Sequence, residues 1–412
     1  MITKYKPLDF ITFKLFSLFL LALYPLAIIS GNLLTNIFIL LISLSFFINF
    51  TDNKKSFTDK IFYILGFFFI SLLVNTIFSI DPQNSFPRVI KILLIIFFIL
   101  EIKRLIETYE TSYLKYIFLS WFLIFFVLSL DIIFEVIFGY NTIGIKSYMP
   151  GRIASFFGDE LVAGGFYHGF ILFFLSYLFT QKINNNILLI IIISVLLISF
   201  LIGERSNFIK IFLSIIIFSI LVFKVDYKIK ISVLLIFLIS VATIISFNDY
   251  YKSRYFSQIK TLFSKNGYSK YMKQSQYGAH RDAAIKILNE NFIFGVGLKN
   301  YRYEVVKKKY ENQDFLNTNR RAATHPHQIH HELLSETGVF GYLCFLIFLI
   351  LSLYLGIKNY IKNKSLYLLS SIIFIITSIL PLLPSGSFFT TFTSGIFWLN
   401  FAIMCGFTNT KS

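Results

Sequence analysis

The sequence has 412 residues, of which 56% are hydrophobic and only 14% charged, and its mean hydropathy is +0.72. A soluble domain carries about 25% charged residues, so this composition excludes a soluble globular enzyme and suits a chain dissolved mainly in lipid. The formal charge of +17 does not point to nucleic acid, because the basic residues lie mostly between apolar runs, where lysines flanking membrane helices are the simpler reading.

A membrane-spanning helix needs about 20 mostly apolar residues. In chain order such runs fall at about 11–30, 33–50, 61–80, 87–102, 115–139, 161–180, 186–203, 207–223, 230–248, 339–358, 366–384 and 387–406, the fourth being short. The first run leads straight into the second with no small-residue cleavage site, so no cleavable signal peptide is expected. Twelve spans place both termini on one side. With that side cytoplasmic, the cytoplasmic turns hold Lys4 and Lys6; Lys54, Lys55 and Lys60; Lys103 and Arg104; Lys182; Lys224, Lys228 and Lys230; and Lys358, Lys362, Lys364 and Lys411. The short turns on the opposite face, 30–33, 204–206 and 384–387, hold Arg205 alone, in accord with the positive-inside rule. Cys344 and Cys405 sit inside apolar stretches without metal-ligand spacing and read as packing residues.

The expected architecture is all-α: about twelve transmembrane helices, nine within 1–248 and three within 339–412, separated by a large, partly helical loop over 249–338 on the non-cytoplasmic side. That loop holds fifteen Lys and Arg against eight Asp and Glu, a net of +7, and its field suits anionic ligands such as diphosphates or phosphorylated glycolipids. The opposing reading is lysines that are only solvated or touch lipid head groups. Helices are expected over about 275–290 and from about 327, with a turn at Gly295 and Gly297 and a polar, mobile stretch over 303–323.

Three polar features matter, because ionisable groups near membrane depth are costly and tend to be functional. The first is Gly203-Glu204-Arg205-Ser206-Asn207, where Arg205 either grips a phosphate with two N–H groups or snorkels from a tight turn. The second is His280-Arg281-Asp282-Ala283-Ala284-Ile285, expected to open an amphipathic helix whose apolar face is Ala283, Ala284, Ile287 and Leu288. Arg281 would sit in its first turn, where backbone N–H groups favour anions, or else pair with Asp282 or Glu290. The third is the run from His325 to Gly341, with Pro326 as a first-turn proline and His327 at the start of a helix entering the membrane. A neutral imidazole is a natural base near pH 7. A structural histidine cluster is the alternative. A zinc site is disfavoured, because His327 and His331 lack the HExxH order and no Cys is near.

This last stretch resembles the O-antigen ligase and polymerase family of bacterial envelope proteins. The ligases show a His followed by Asn, Ser or Gln, nine residues, Gly, two residues, then Gly, Thr or Tyr; His327, Gln328, Gly338 and Gly341 satisfy all four positions. The Arg281 helix followed by Phe294-Gly295-Val296-Gly297-Leu298 is similar to the family's arginine helix and GxG turn, and Arg205 matches the place of its other functional arginine. Gly151-Arg152 through Gly158 is similar to an Arg-x-x-Gly-x-Phe segment, with Ser155 where Gly is common. The resemblance covers roughly 150–345. It implies a GT-C-like glycosyltransferase of the bacterial inner membrane with a periplasmic active site. Such an enzyme needs neither metal nor other cofactor and moves a glycan from undecaprenyl diphosphate to a sugar hydroxyl of the lipid A core. It also implies His327 as base and Arg205 and Arg281 as diphosphate ligands, with Arg152 in support; from proximity in the sequence alone, His325 and Glu336 are expected to orient His327. A polymerase sharing the same donor stays open, as does a transporter of a phosphorylated glycolipid. Membrane lipids are expected partners and nucleic acid is not.

Overall fold

The structure, a computed structural model, describes residues 7–48, 57–109 and 111–407; Lys4, Lys6, Lys54, Lys55 and Lys411 lie outside the described residues. Within them all regular structure is helical. The principal helices are α1 (Pro7–Ile29), α2 (Asn32–Ile48), α3 (Lys60–Ile77), α4 (Pro82–Thr108), α5 (Thr111–Phe138), α6 (Ala163–Thr180), α7 (Asn185–Leu201), α8 (Arg205–Val222), α9 (Tyr227–Phe247), α10 (Gly267–Gln274), α11 (Gln276–Glu290), α12 (Ile329–Asn363), α13 (Leu366–Ser378) and α14 (Thr391–Gly406).

Each expected apolar run has become a helix. Six of them, α3, α5, α6, α8, α9 and α12, are long and apolar enough to cross a membrane, and α1, α2, α7, α13 and α14 are shorter apolar helices. The chain is therefore a multi-pass membrane protein, and its surface has the corresponding polarity. Leu33, Ile70, Ile190, Ile220, Ile239 and Ile350 are all exposed, and along α9 only Phe237 is buried. Side chains this apolar on the outside are at equilibrium only against lipid. The innermost helices are α6 and α14, buried along nearly their whole lengths. They close at Gly169, where an added Cβ would lie 2.4 Å from Ile396 Cγ2 and where Asn400 Nδ2 donates to the Gly169 carbonyl at 3.3 Å. Such small-residue contacts are how helices approach when both solvent and partner are apolar.

The short fourth run is in fact part of a 27-residue helix. Asp81 caps it, accepting from Gln83 N and Asn84 N, with Pro82 in the first turn. Lys103 and Arg104, expected in a cytoplasmic turn, lie instead inside its last turns. Both are buried, Lys103 between Asp59 (2.8 Å) and Glu107 (2.7 Å) and Arg104 against Glu101 (2.6 Å). Carboxylates one helical turn away let these cations end the helix inside the fold rather than in solvent.

At the other end of the bundle the 249–338 segment is bolted down by two glycine turns. Gly295 (φ +66°), Gly297 (φ +92°) and Gly338 (φ +64°) adopt backbone conformations that L side chains rarely take. The 292–297 chain runs against 335–340: Val296 N donates to Ser335 O, Gly297 N to Glu336 O, Val339 N to Phe292 O and Phe340 N to Ile293 O, at 2.8–3.0 Å. A Cβ on Gly338 would fall 2.3 Å from Ile293 O and 2.5 Å from Gly295 N. The same turn is tied to the α3–α4 connection by Ile80 N to Val296 O (3.1 Å), Ser85 Oγ to Leu298 O (2.9 Å) and Asn300 Nδ2 to Asp81 O (3.0 Å). The Gly338→Ala variant is expected to lose roughly 3 kcal/mol or more of stability from backbone strain and overlap. A thermal melt in detergent indistinguishable from wild type would show that the turns do not interlock.

The 303–323 stretch is no open tether. Tyr301, Val305 and Tyr310 join Ala283, Ala284 and Ile287 of α11 in a small satellite core, and Arg321 pairs with Glu311 at 3.0 Å.

Candidate active site

The third polar feature opens differently from expectation. Helix α12 begins at Ile329, with Gln328 as its N-cap: Gln328 Oε1 accepts from His331 N at 2.8 Å while its Nε2 donates to Pro381 O at 2.7 Å. Pro326 therefore precedes the helix rather than starting it, and His327 stands just outside it in a left-handed conformation (φ +53°). That φ turns the chain sharply and brings three imidazoles into a row. The His325 and His327 ring centroids are 4.1 Å apart, and those of His327 and His280 are 4.9 Å apart. Burial holds all three below the ordinary histidine value, His325 down to about 3 and His280 to about 4, and in those two proximity to the neighbouring imidazole adds to the effect. The imidazoles are therefore neutral near neutral pH, with ring nitrogens free to take a proton transiently, while the same burial weakens them as equilibrium bases.

Helix α11 starts at Gln276, so Arg281 lies in its second turn, not its first. The expected ion pairs are not made. Asp282 pairs with Lys286 (3.0 Å) and Glu290 with Lys309, while Arg281 Nη1 donates to the Tyr268 hydroxyl at 3.1 Å. The guanidinium is left without a carboxylate among the described residues. His280, one residue earlier, makes the contact to His327.

Arg205 begins α8 after the N-cap Glu204 and Gly203, and the φ of +77° at Gly203 and its tight approach to Gly151 O would not admit a side chain. Arg205 Nη1 donates to Arg254 O at 2.7 Å, and Arg254 Nη2 donates to Gly203 O at 3.2 Å. Arg152 pairs with Glu204 at 3.2 Å and donates to Leu161 O at 2.6 Å. Three guanidiniums thus share a small region, and their mutual repulsion, after burial, lowers the affinity of Arg254 for its proton. The neighbouring Arg152 segment also explains Ser155. It sits at φ +51°, a position suited to glycine, and is held there by Glu135 accepting from its N–H (2.6 Å) and Asp131 accepting from its hydroxyl.

One loop ties these pieces together. Ser206 Oγ donates to Pro384 O, and the next residue, Ser385, donates its N–H to His327 O at 2.9 Å. The start of α8, the α13–α14 loop and the imidazole row are consequently linked through two hydrogen bonds. Glu336 is not brought to His327. Its carboxylate accepts from the backbone N–H groups of Lys299 and Tyr301, so it holds the glycine turn in place. His330, in the same run, is used by Tyr342 Oη (2.9 Å) and Ile379 O (2.6 Å).

Beside His325 opens a chamber of about 680 Å³, lined among others by Arg88, Lys91, Lys299, Arg302, Glu160 and the hydroxyls of Thr390 and Thr391. Sequence reasoning missed Arg88, Lys91, Arg302 and Arg254. A signal existed for the first pair: cations spaced i, i+3 inside an otherwise apolar run, on one helical face. Arg254 and Arg302 carry no such signal, being two of many basic residues in a basic segment. Among the described residues, no group of three His, Cys, Asp or Glu is arranged to hold a metal ion.

Fold and site together define a multi-pass, all-helical membrane protein with a basic chamber that opens beside His325. Residues 187–346 match a family model described as O-antigen ligase. The match takes in Arg205, Arg281, His325, His327 and Glu336, and supports a ligase or polymerase type of function broadly. A search of curated proteins gives no match.

Proposed function

We propose that the protein is an inverting, metal-independent glycosyltransferase of the O-antigen ligase type, which moves a glycan from undecaprenyl diphosphate to a sugar hydroxyl of the lipid A core. The transfer takes place on the periplasmic face of the bacterial inner membrane, and both termini are cytoplasmic. The observation that carries this reading is the unneutralised Arg281, on the helix that also presses His280 against His327, within the matched segment. His327 takes the proton of the acceptor hydroxyl as its oxygen attacks the anomeric carbon. The bond from that carbon to the diphosphate oxygen breaks on the opposite face, inverting the centre. Arg205 and Arg281 hold the departing diphosphate and balance the charge that develops on it. Fixed guanidiniums supply the positive charge that a metal would otherwise bring. Arg152 and Arg254 raise the local field beside Arg205, and His325 sets the orientation of His327 by packing its tilted ring against it.

Reconstitution of the purified chain with an undecaprenyl-diphosphate-linked glycan and lipid A core is expected to give a new glycosidic bond at equal rates with and without EDTA. Extension of one carrier-linked glycan by another, with no product on the core, would make it a polymerase instead. Loss of the rate on chelation would overturn the metal-independent mechanism. Movement of the glycolipid with no bond made would identify a transporter.

A further inference from the structure

We infer that the chamber between α4, the 299–302 turn and the 386–393 loop is a second anion-binding subsite, which takes a phosphorylated sugar of the acceptor. This inference rests on the glycosyltransferase reading. Four cations, Arg88, Lys91, Lys299 and Arg302, face a cavity whose lining holds a single carboxylate, Glu160. Arg88 and Lys91 are gripped by neutral groups, the Phe389 carbonyl and the Thr391 hydroxyl (2.9 Å), and none of the four forms an ion pair among the described residues. The nearest carboxylates behind Arg88 are already committed. Glu332 accepts from Ser387 Oγ and Phe388 N (2.8 Å), and Glu336 accepts from the backbone of Lys299 and Tyr301. Both acids thus fix the chamber walls, and their charges also act on Arg88, that of Glu332 on Arg302 as well. The four cations still outnumber these two acids and Glu160, and holding them in a partly desolvated cavity costs free energy that a bound anion recovers.

Size and position decide which anion. About 680 Å³ lies within the range of small-ligand sites, enough for sugar units but not for a polyprenyl chain. The hydroxyls of Thr390 and Thr391 and the side chain of Glu160 offer polar contacts suited to a saccharide. His325 forms part of the chamber wall and its ring centroid lies 4.1 Å from that of His327, so the chamber opens beside the imidazole row. Arg205 and Arg281 are not in the lining: Arg281 follows His280, whose ring lies against His327, and Arg205 donates to the Arg254 carbonyl. On the glycosyltransferase reading those two arginines serve the diphosphate, which leaves the chamber for a sugar phosphomonoester.

The test uses the full chain in lipid nanodiscs, with an acceptor glycolipid before and after phosphatase treatment. Arg302→Gln and Lys299→Gln, on the turn, are expected to raise the KM for phosphorylated acceptor ~10-fold, with kcat and donor KM unchanged. The penalty should vanish for dephosphorylated acceptor, which the wild type itself should use with a similarly raised KM. Arg88→Gln is the buried counterpart, read only if its melting temperature is retained. A penalty that survives phosphate removal, or one that falls on donor KM, overturns the assignment. If the wild type joins no sugars, the enzymatic reading has failed, and the subsite is judged by equilibrium binding of glucosamine 6-phosphate and inorganic phosphate. Binding of the sugar phosphate that Arg302→Gln weakens supports the subsite. Binding of inorganic phosphate alone, or of neither, overturns it.

Discussion

Replacing His327 with alanine is expected to lower glycan transfer by roughly 10²–10⁴-fold while leaving the protein inserted and folded. The fold should survive because the His327 side chain is not what holds the chain there. Its backbone carbonyl accepts from Ser385 N, and helix α12 is capped by the neighbouring Gln328. The wild-type rate carries a further signature. Burial keeps the imidazole below its ordinary value, so the neutral, proton-accepting form persists to lower pH than in a free histidine. The acid-side decline in transfer should therefore fall at lower pH than the titration of a free histidine. The alanine variant should lose that acid limb along with the rate. Near-normal surface glycan in the variant, or an unchanged pH profile at reduced rate, would assign the base elsewhere.

Arg281→Lys is the second large effect, with transfer expected to fall about 10- to 100-fold although the charge is preserved. An ammonium has neither the planar fork nor the reach for two parallel bonds to a diphosphate. The carboxylates that would have neutralised Arg281 are taken by Lys286 and Lys309, so its guanidinium is available to a ligand with the Tyr268 hydroxyl as its only protein partner among the described residues. The loss should appear in the donor dependence. Full activity of the lysine variant would mean that Arg281 contributes only charge, and full activity of Arg281→Ala would remove it from the site altogether.

The twelve apolar runs were legible because lipid imposes length and composition on every helix it surrounds, and the helix at each run follows from that constraint. Helix ends were less so. Lys103 and Arg104 look like a solvated turn to a hydropathy reading, and only the carboxylates of Asp59, Glu101 and Glu107 explain their burial. In the site, the histidine run and the two arginines stood out because their types are rare near membrane depth. What could not be read was which way each would face. The left-handed turn at His327 places it outside the helix, and Glu336, close in sequence, ends up serving the glycine turn instead. Ser155 shows the same limit from the other side: a departure from the glycine expected there is made tolerable by Asp131 and Glu135, twenty or more residues away.

The way α4 enters the chamber has a practical corollary. Arg88 and Lys91 lie about a hundred residues before the segment that matches the ligase family, yet they line the same space as Arg302 and His325. A chimera that grafts residues 187–346 onto the helices of a family relative would import the proposed base and donor arginines but leave most of the chamber lining behind. Substrate preference in such hybrids should follow the parent of the N-terminal helices, while the chemistry of bond formation follows the graft.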